Sequence, residues 1–322
     1  MNIFFFILGN NILPIFLLIG AGYILSKKFD LDIKSLSKLN FYIFVPGFIF
    51  VSLYTTVIPF EMIKALIFAI IILFINMSVG TIIPKIRKYD PALTNAFKNS
   101  LMFYNSGNIG IPLITLVFSS GIYAINGETP YLNMAVTAQI MVMMVQNVSV
   151  NTIGFYNGGR ATLHWTDSVK KILRMPTIYA LPSAFIAKAL PFDFTKMPGW
   201  PGLEYIRSGL ISIALITLGV QLSKTKFNFS NKKVYLAVAI RLIGGPIIAL
   251  GLILLMGFDG IIAQALMISS SVPTAVNTAL IAVECDNAPD FASQTVMFAT
   301  LFSAVTLTFV IFVSRLIFPV AL

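Results

Sequence analysis

The chain has 322 residues, 57% of them hydrophobic and 11% charged, with a net charge of +10. A soluble domain carries about 25% charged residues, so this composition excludes an ordinary water-soluble globule and makes lipid the solvent for much of the surface. A single cysteine, Cys285, and a single histidine, His164, exclude a disulfide framework, a Cys-rich metal site and a His-based catalytic triad, and the basic excess sits in short loops between apolar runs, which marks membrane orientation and not nucleic-acid binding.

No basic n-region or A-x-A-like cleavage site accompanies the first apolar run. It reads as a retained span over 3–25, with Pro14 inside it. Further apolar runs follow at 36–57, 61–83, 92–119 and 131–155, each about one bilayer thick as a helix. A polar stretch at 156–174, "RATLHWTDSVKKILR" within it, fits a short amphipathic helix on the inner leaflet or an ordinary basic linker. Five more runs follow at 175–190, 203–223, 233–256, 259–284 and 290–317, the first of them short and carrying Pro176 and Pro182. The expected fold class is an all-α membrane protein of ten transmembrane helices.

Alternate loops are rich in Lys and Arg: Lys27, Lys28, Lys34 and Lys38; Lys85, Arg87 and Lys88; Arg160, Lys170, Lys171 and Arg174; Lys224, Lys226, Lys232 and Lys233. The opposite loops offer Lys64, Lys188 and Lys196, with Arg207 just inside span 7. The rich side is expected to be cytoplasmic, which puts both termini outside in a multi-pass protein of the plasma membrane. The acidic 9–10 loop, with Glu284, Asp286 and Asp290, departs from the pattern, but carboxylates contribute little to orientation.

The 156–174 linker divides a first five-helix repeat (1–155) from a second (175–322), and an odd number of spans per half inverts their topology. Pro14 answers Pro182, Pro112 answers Pro273, and Pro130 and Pro289 each open the next span. Inverted repeats are a recurrent plan of secondary transporters. Span 4 holds Asn105, Ser106, Gly107, Asn108, Gly110 and Pro112; span 9 holds Ser269, Ser270, Ser271, Pro273, Thr274, Asn277 and Thr278. Such clusters predict interrupted helices at Gly107–Pro112 and Ser271–Thr274, with Pro112 and Pro273 each opening a second half-helix. Broken backbone cannot face lipid, so the breaks should be buried or line a watery cavity. Two half-helix N-termini would then cradle a carboxylate, helped by the amides of Asn105, Asn108 and Asn277. The same residues, as kinks and interhelical glue, would fit a purely structural role.

The segments "FYNSGNIGIPL", "SSSVPTAVNTAL" and "RLIGGP" resemble the auxin efflux carrier family over essentially the whole chain. That family includes plant auxin exporters and bacterial permeases assigned to malate and related acids. The absence of the long cytoplasmic loop of many plant exporters points to the bacterial organic-acid permeases. The resemblance implies a bile-acid symporter-like fold with crossed broken helices 4 and 9. It implies a scaffold of spans 1, 2, 6 and 7 that also forms a homodimer, and a mobile transport domain of spans 3–5 and 8–10 working as an elevator. Carried over by motif, substrate would touch Asn105, Asn108, Pro112, Pro273 and Asn277.

Asn133, Thr137, Asn147 and Asn151 share a face of span 5, with Gln146 adjoining, and suit either a pathway or packing. Arg241, some seven residues into span 8, is read as a gate or substrate charge partner, or as a side chain that snorkels to the surface. The expected function is secondary transport of a small organic anion, with no catalytic residue, metal, cofactor or nucleic-acid partner. The alternative is a sodium-coupled symporter on the same scaffold, although no carboxylate lies near the centre of any span. An intramembrane enzyme lacks a nucleophile–base or metal constellation in this sequence.

Overall fold

The computed structural model describes residues 3–57, 61–158, 173–174, 176–225 and 228–320. The expected linker falls largely outside them, as does His164. The described residues form helices and no strand: α1 (Ile3–Phe29), α2 (Ile33–Thr55), α3 (Glu61–Ile86), α4 (Pro91–Met102), α5 (Ser106–Phe118), α6 (132–157), α7 (Pro176–Ala189), α8 (Trp200–Ser223), α9 (Lys232–Leu255), α10 (Gly260–Ser271), α11 (Val276–Glu284) and α12 (Pro289–Ile317). Six of these, α1, α2, α3, α8, α9 and α12, are long and apolar enough to cross a bilayer; Ser106–Phe118, Ile178–Ala189 and Gly260–Ser271 are shorter apolar helices.

Starts are set by side-chain caps. Asp32 accepts from the Lys34 and Ser35 amides, Asp90 from Leu93, Asn231 from Lys233 and Asp259 from Gly260. Each satisfies a donor that the first helical turn leaves bare. Four helix interiors are adapted to proline in one repeated way. Widened π turns at Leu8–Ile12, Asn40–Phe44, Ser106–Gly110 and Ile240–Gly244 are each followed, two residues on, by Pro14, Pro46, Pro112 and Pro246. Leu13, Val45 and Gly245 donate five residues back, to Leu8, Asn40 and Ile240. The wide turn relieves the clash between the proline ring and the carbonyl of the preceding turn, and the helix continues.

Helix α8 packs against α1 and α2, and α7 against α2. The α1–α8 contact is backbone against backbone: a Cβ on Gly22 would stand 2.2 Å from the Ile216 carbonyl oxygen, and one on Gly219 2.0 Å from that of Ile19. Buried Ser26 and Ser223 hydrogen-bond across the same contact at 2.8 Å. At its end the Lys224 ammonium meets the Asp30 carboxylate at 2.7 Å, and its hydrogen bond and charge hold that carboxyl below the usual range. The remaining helices form a second group. There α3 packs on α4 and α6, α10 on α6, α9 and α12, α4 on α12, and α5 and α11 on α6 and α12 respectively.

Candidate functional site

The two interrupted segments meet between α4 and α5 and between α10 and α11. Val272 precedes Pro273, which confines it to extended backbone (φ −65°, ψ 153°) and ends α10. The break in the first half falls at Phe103–Asn105, upstream of the expected Gly107–Pro112. Asn105 sets it: its side-chain oxygen accepts from the Asn108 amide at 3.2 Å and starts α5 there. Pro112 therefore lies inside α5, absorbed by the π turn, and Pro273 lies in the break before α11; neither opens a half-helix as expected.

The extended residues pair antiparallel at Tyr104 and Thr274. The Asn105 amide donates to the Pro273 carbonyl at 2.8 Å and the Ala275 amide to that of Phe103 at 3.0 Å. The Thr274 hydroxyl donates to the Ser100 carbonyl at 2.9 Å. Two glutamines of α6 complete the accounting. The Gln146 side-chain oxygen accepts from the Tyr104 amide at 3.2 Å, and Gln139 donates to the Ser106 carbonyl at 2.6 Å. Backbone groups freed by the breaks are thus satisfied by protein, as depth in a bilayer demands.

Beside the crossing lies a cavity of about 150 Å³, the room of about five water molecules. Of the residues singled out from sequence, Asn105, Gly107, Asn108, Asn147 and Asn277 line it. Gly110 and Pro112 are buried in α5, Gly110 against the Gln139 amide, and Ser271, Pro273 and Thr274 are buried in the second break. Thr137 and Asn151 bond carbonyls one turn back on their own helix. The lining also includes residues not singled out as site residues, namely Ser37 and Asn40 from α2, Thr217 and Gln221 from α8, and Tyr104 and Gln146. Asn40 sits six residues before Pro46 at the polar start of its span, where Ser37 and Lys38 precede it. It donates to the Asn108 side-chain oxygen at 3.0 Å. Ser37 and Gln221 stand within one turn of Lys34 and Lys224, so the cavity occupies the half of the bundle that carries those basic loops. The other half is packed. There Asn11 of α1 donates to the Leu116 carbonyl and to the Ser120 hydroxyl at 2.8 Å, and buried Tyr123 hydrogen-bonds Gln264.

Among the described residues no charged side chain lines the cavity. Several buried polar atoms of its lining residues have no partner among the described residues: Asn105 Nδ2, Asn40 Oδ1, Thr217 Oγ1 and Gln221 Oε1. Buried polar atoms are ordinarily bonded, so these are positions a ligand can use. Arg241 neither snorkels nor reaches the cavity. It is 1% exposed, donates to the Leu101 carbonyl at 3.2 Å and to that of Ser270, and lies over the Tyr104 ring at 4.6 Å. Both carbonyls belong to the last turns of half-helices, so the guanidinium caps α4 and α10 together.

The sequence compares with known proteins over most of its length. A family model described as membrane transport protein matches residues 7–158 and 165–311. An uncharacterized transporter from Methanothermobacter thermautotrophicus is 24% identical over 310 residues, covering 92% of this chain and 95% of that protein. With the apolar helices and the two breaks, these matches show that the chain belongs to the membrane transport protein family and is an integral membrane transporter.

Proposed function

We propose that this transporter moves small organic carboxylates through the cavity at the helix crossing. The observation that carries the reading is a cavity bordered by the first turns of α5 and α11 where, among the described residues, the Asn105 side-chain nitrogen has no acceptor and no acidic side chain joins the lining. Each half-helix start carries about half a positive charge, and the first-turn N–H groups suit a carboxylate. Asn105, Asn108 and Asn277 contact the substrate in this reading, and Asn147 borders its path. Gly107 leaves the α5 backbone open to it, Gly110 and Pro112 shape the packed α5 behind it, and Ser271, Pro273 and Thr274 hold the shape of the second break.

The fold reading that goes with this is ten spans in two inverted repeats, α4–α5 and α10–α11 each counting as one. Its support is the packing. Exchanging the halves turns α1 on α8 into α7 on α2, α3 on α4 into α9 on α10, and α10 on α6 into α4 on α12, all of which are neighbours. The α1, α2, α7 and α8 group would be the scaffold and dimer face, and the rest an elevator that carries its cargo between broken helices. Cargo held that way keeps its hydrogen bonds and avoids several kcal/mol of bare desolvation in lipid. The basic loops would face the cytoplasm, with both termini outside the plasma membrane, and the cavity would then open inward.

Counterflow in liposomes tests the substrate class. Preloaded malate or another small carboxylate should drive uptake of its labelled form. Exchange of neutral solutes alone, or uptake that requires sodium, would overturn the reading. Motion is tested by Asn11→Cys with Ser120→Cys in a Cys285→Ser background. The native side chains touch at 2.8 Å and join α1 to the end of α5. The oxidised pair should abolish counterflow while substrate binding from the cavity side persists. Wild-type turnover of the locked protein would favour a fixed bundle with local gates.

A further inference from the structure

We propose that Arg241 is a resident counter-charge that travels with the transported anion. It sets which step of the cycle feels the membrane potential. The inference rests on the carboxylate-elevator reading above.

Among the described residues Arg241 is the one charged side chain in the buried core, and no acidic group answers it. Isolated charge at membrane depth is expensive and marks function unless it is compensated. The compensation here comes from backbone. Its partners are the Leu101 and Ser270 carbonyls, at the negative ends of α4 and α10. Gly245 gives it close room: a Cβ there would stand 2.9 Å from Nη2 and push the guanidinium aside. Two C-terminal ends supply about one unit of negative charge between them and two N-terminal ends about one unit of positive charge. The dipoles cancel over the crossing. What is left is the formal charge of Arg241, and because it neutralises the C-terminal ends, the positive N-terminal ends beside the cavity stand uncompensated.

The guanidinium and all its partners lie on α4, α9, α10 and the connector through Tyr104, helices of the group assigned to the moving body. If that body moves, the cation moves with the cargo. A body loaded with a monoanion is then close to neutral in the field, and an empty one carries about one positive charge. Lys98 on α4 and Arg315 near the end of α12 are other cations of these helices; both are partly exposed, so they are less enclosed than Arg241. The charge moved in a complete net cycle is fixed by the substrate. Arg241 assigns the field-sensitive step to the empty return, where 100 mV biases the two orientations by up to about 50-fold for a full charge crossing the whole field. With the cell interior negative, the empty body is drawn inward, which favours export.

The first arm of the test uses protein without any substrate. Proteoliposomes on a supported membrane should then show a saturating transient charge movement after a voltage step, approaching about one elementary charge per protein. Arg241→Gln should reduce it several-fold and Arg241→Lys should keep it; a merely structural role would leave its size unchanged in whatever fraction folds. The Asn11–Ser120 cysteine lock should remove it. Should Arg241→Gln fail to fold, wild type decides: lactate, a monoanion, should suppress the transient, and malate, a dianion, should reverse its sign. Carboxylate counterflow with no substrate-free transient, or with one unaltered in Arg241→Gln, overturns the counter-charge. Absence of any carboxylate counterflow overturns the underlying reading instead.

Discussion

Asn105→Ala is expected to weaken carboxylate binding at least tenfold while folded yield stays near that of wild type. The side chain has two ends with separate duties. Its oxygen caps α5 through the Asn108 amide, and its nitrogen is buried with no partner among the described residues. Losing the cap costs about 1 kcal/mol of stability. Losing a hydrogen bond to a charged ligand costs about 1.5–3 kcal/mol, roughly 10- to 150-fold in affinity. Asn105→Asp separates the duties, because it keeps a capping oxygen but removes the donor and places a negative charge where the substrate would put its own. It should bind worse than the alanine variant, and its buried, unpaired carboxylate should cost more stability than the restored cap returns. Binding by isothermal titration, read beside the melting temperature of each variant, decides the matter; equal affinity for all three proteins would make Asn105 a structural cap alone.

Gly219→Ala should cause the largest loss of stability of any single methyl addition discussed here. The new carbon would sit 2.0 Å from the Ile19 carbonyl oxygen and 2.8 Å from the Tyr23 amide, both backbone atoms that no rotamer change can remove. Relief requires α1 and α8 to part, loosening buried Ile15, Ile19, Leu215 and Leu218. Overpacking commonly costs about 1–3 kcal/mol, and a rigid backbone obstacle belongs at or above the top of that range. Gly20 on the facing helix α1 is the control, since a Cβ there meets nothing within 4 Å. Gly20→Ala should be neutral or stabilising by up to about 1 kcal/mol through helix propensity. Melting in detergent should therefore separate the two alanine variants clearly. Coincident transitions would mean that the helices are not in backbone contact.

What the sequence made legible follows from which forces are local. Apolar runs one bilayer thick are a property of contiguous residues, so the membrane class and most helix positions could be read directly. The second break was also legible, because Pro273 acts on its immediate neighbour Val272. The first was displaced from its expected place because Pro112 does not break a helix that can widen by a π turn, whereas Asn105 starts one. Asn40, Thr217 and Gln221 could not be assigned to the cavity. Each is a polar residue on a largely apolar helix, and only the packing of α2 and α8 shows which face meets α5. Arg241 announced itself by its cost, but its two carbonyl partners lie 140 and 29 residues away.

That separation in the chain has a consequence for how the protein is made. Phe103 and Asn105 leave the ribosome long before Ala275 and Pro273, to which they are bonded in the finished molecule. Translation at about 5–20 residues per second puts an interval on the order of ten seconds or more between synthesis of Leu101 and of Arg241, and longer for the second break. Throughout it, an opened first break in lipid would strand several backbone groups at several kcal/mol each. The newborn first half must therefore wait in another form, with 91–118 wound as one uninterrupted helix or sheltered at a wet surface beside the insertion machinery. The crossing is then created by a late rearrangement, once α9 to α11 arrive. A nascent chain stalled before Arg241 should protect the 103–105 amides from hydrogen exchange as a continuous helix would, and should present no binding cavity.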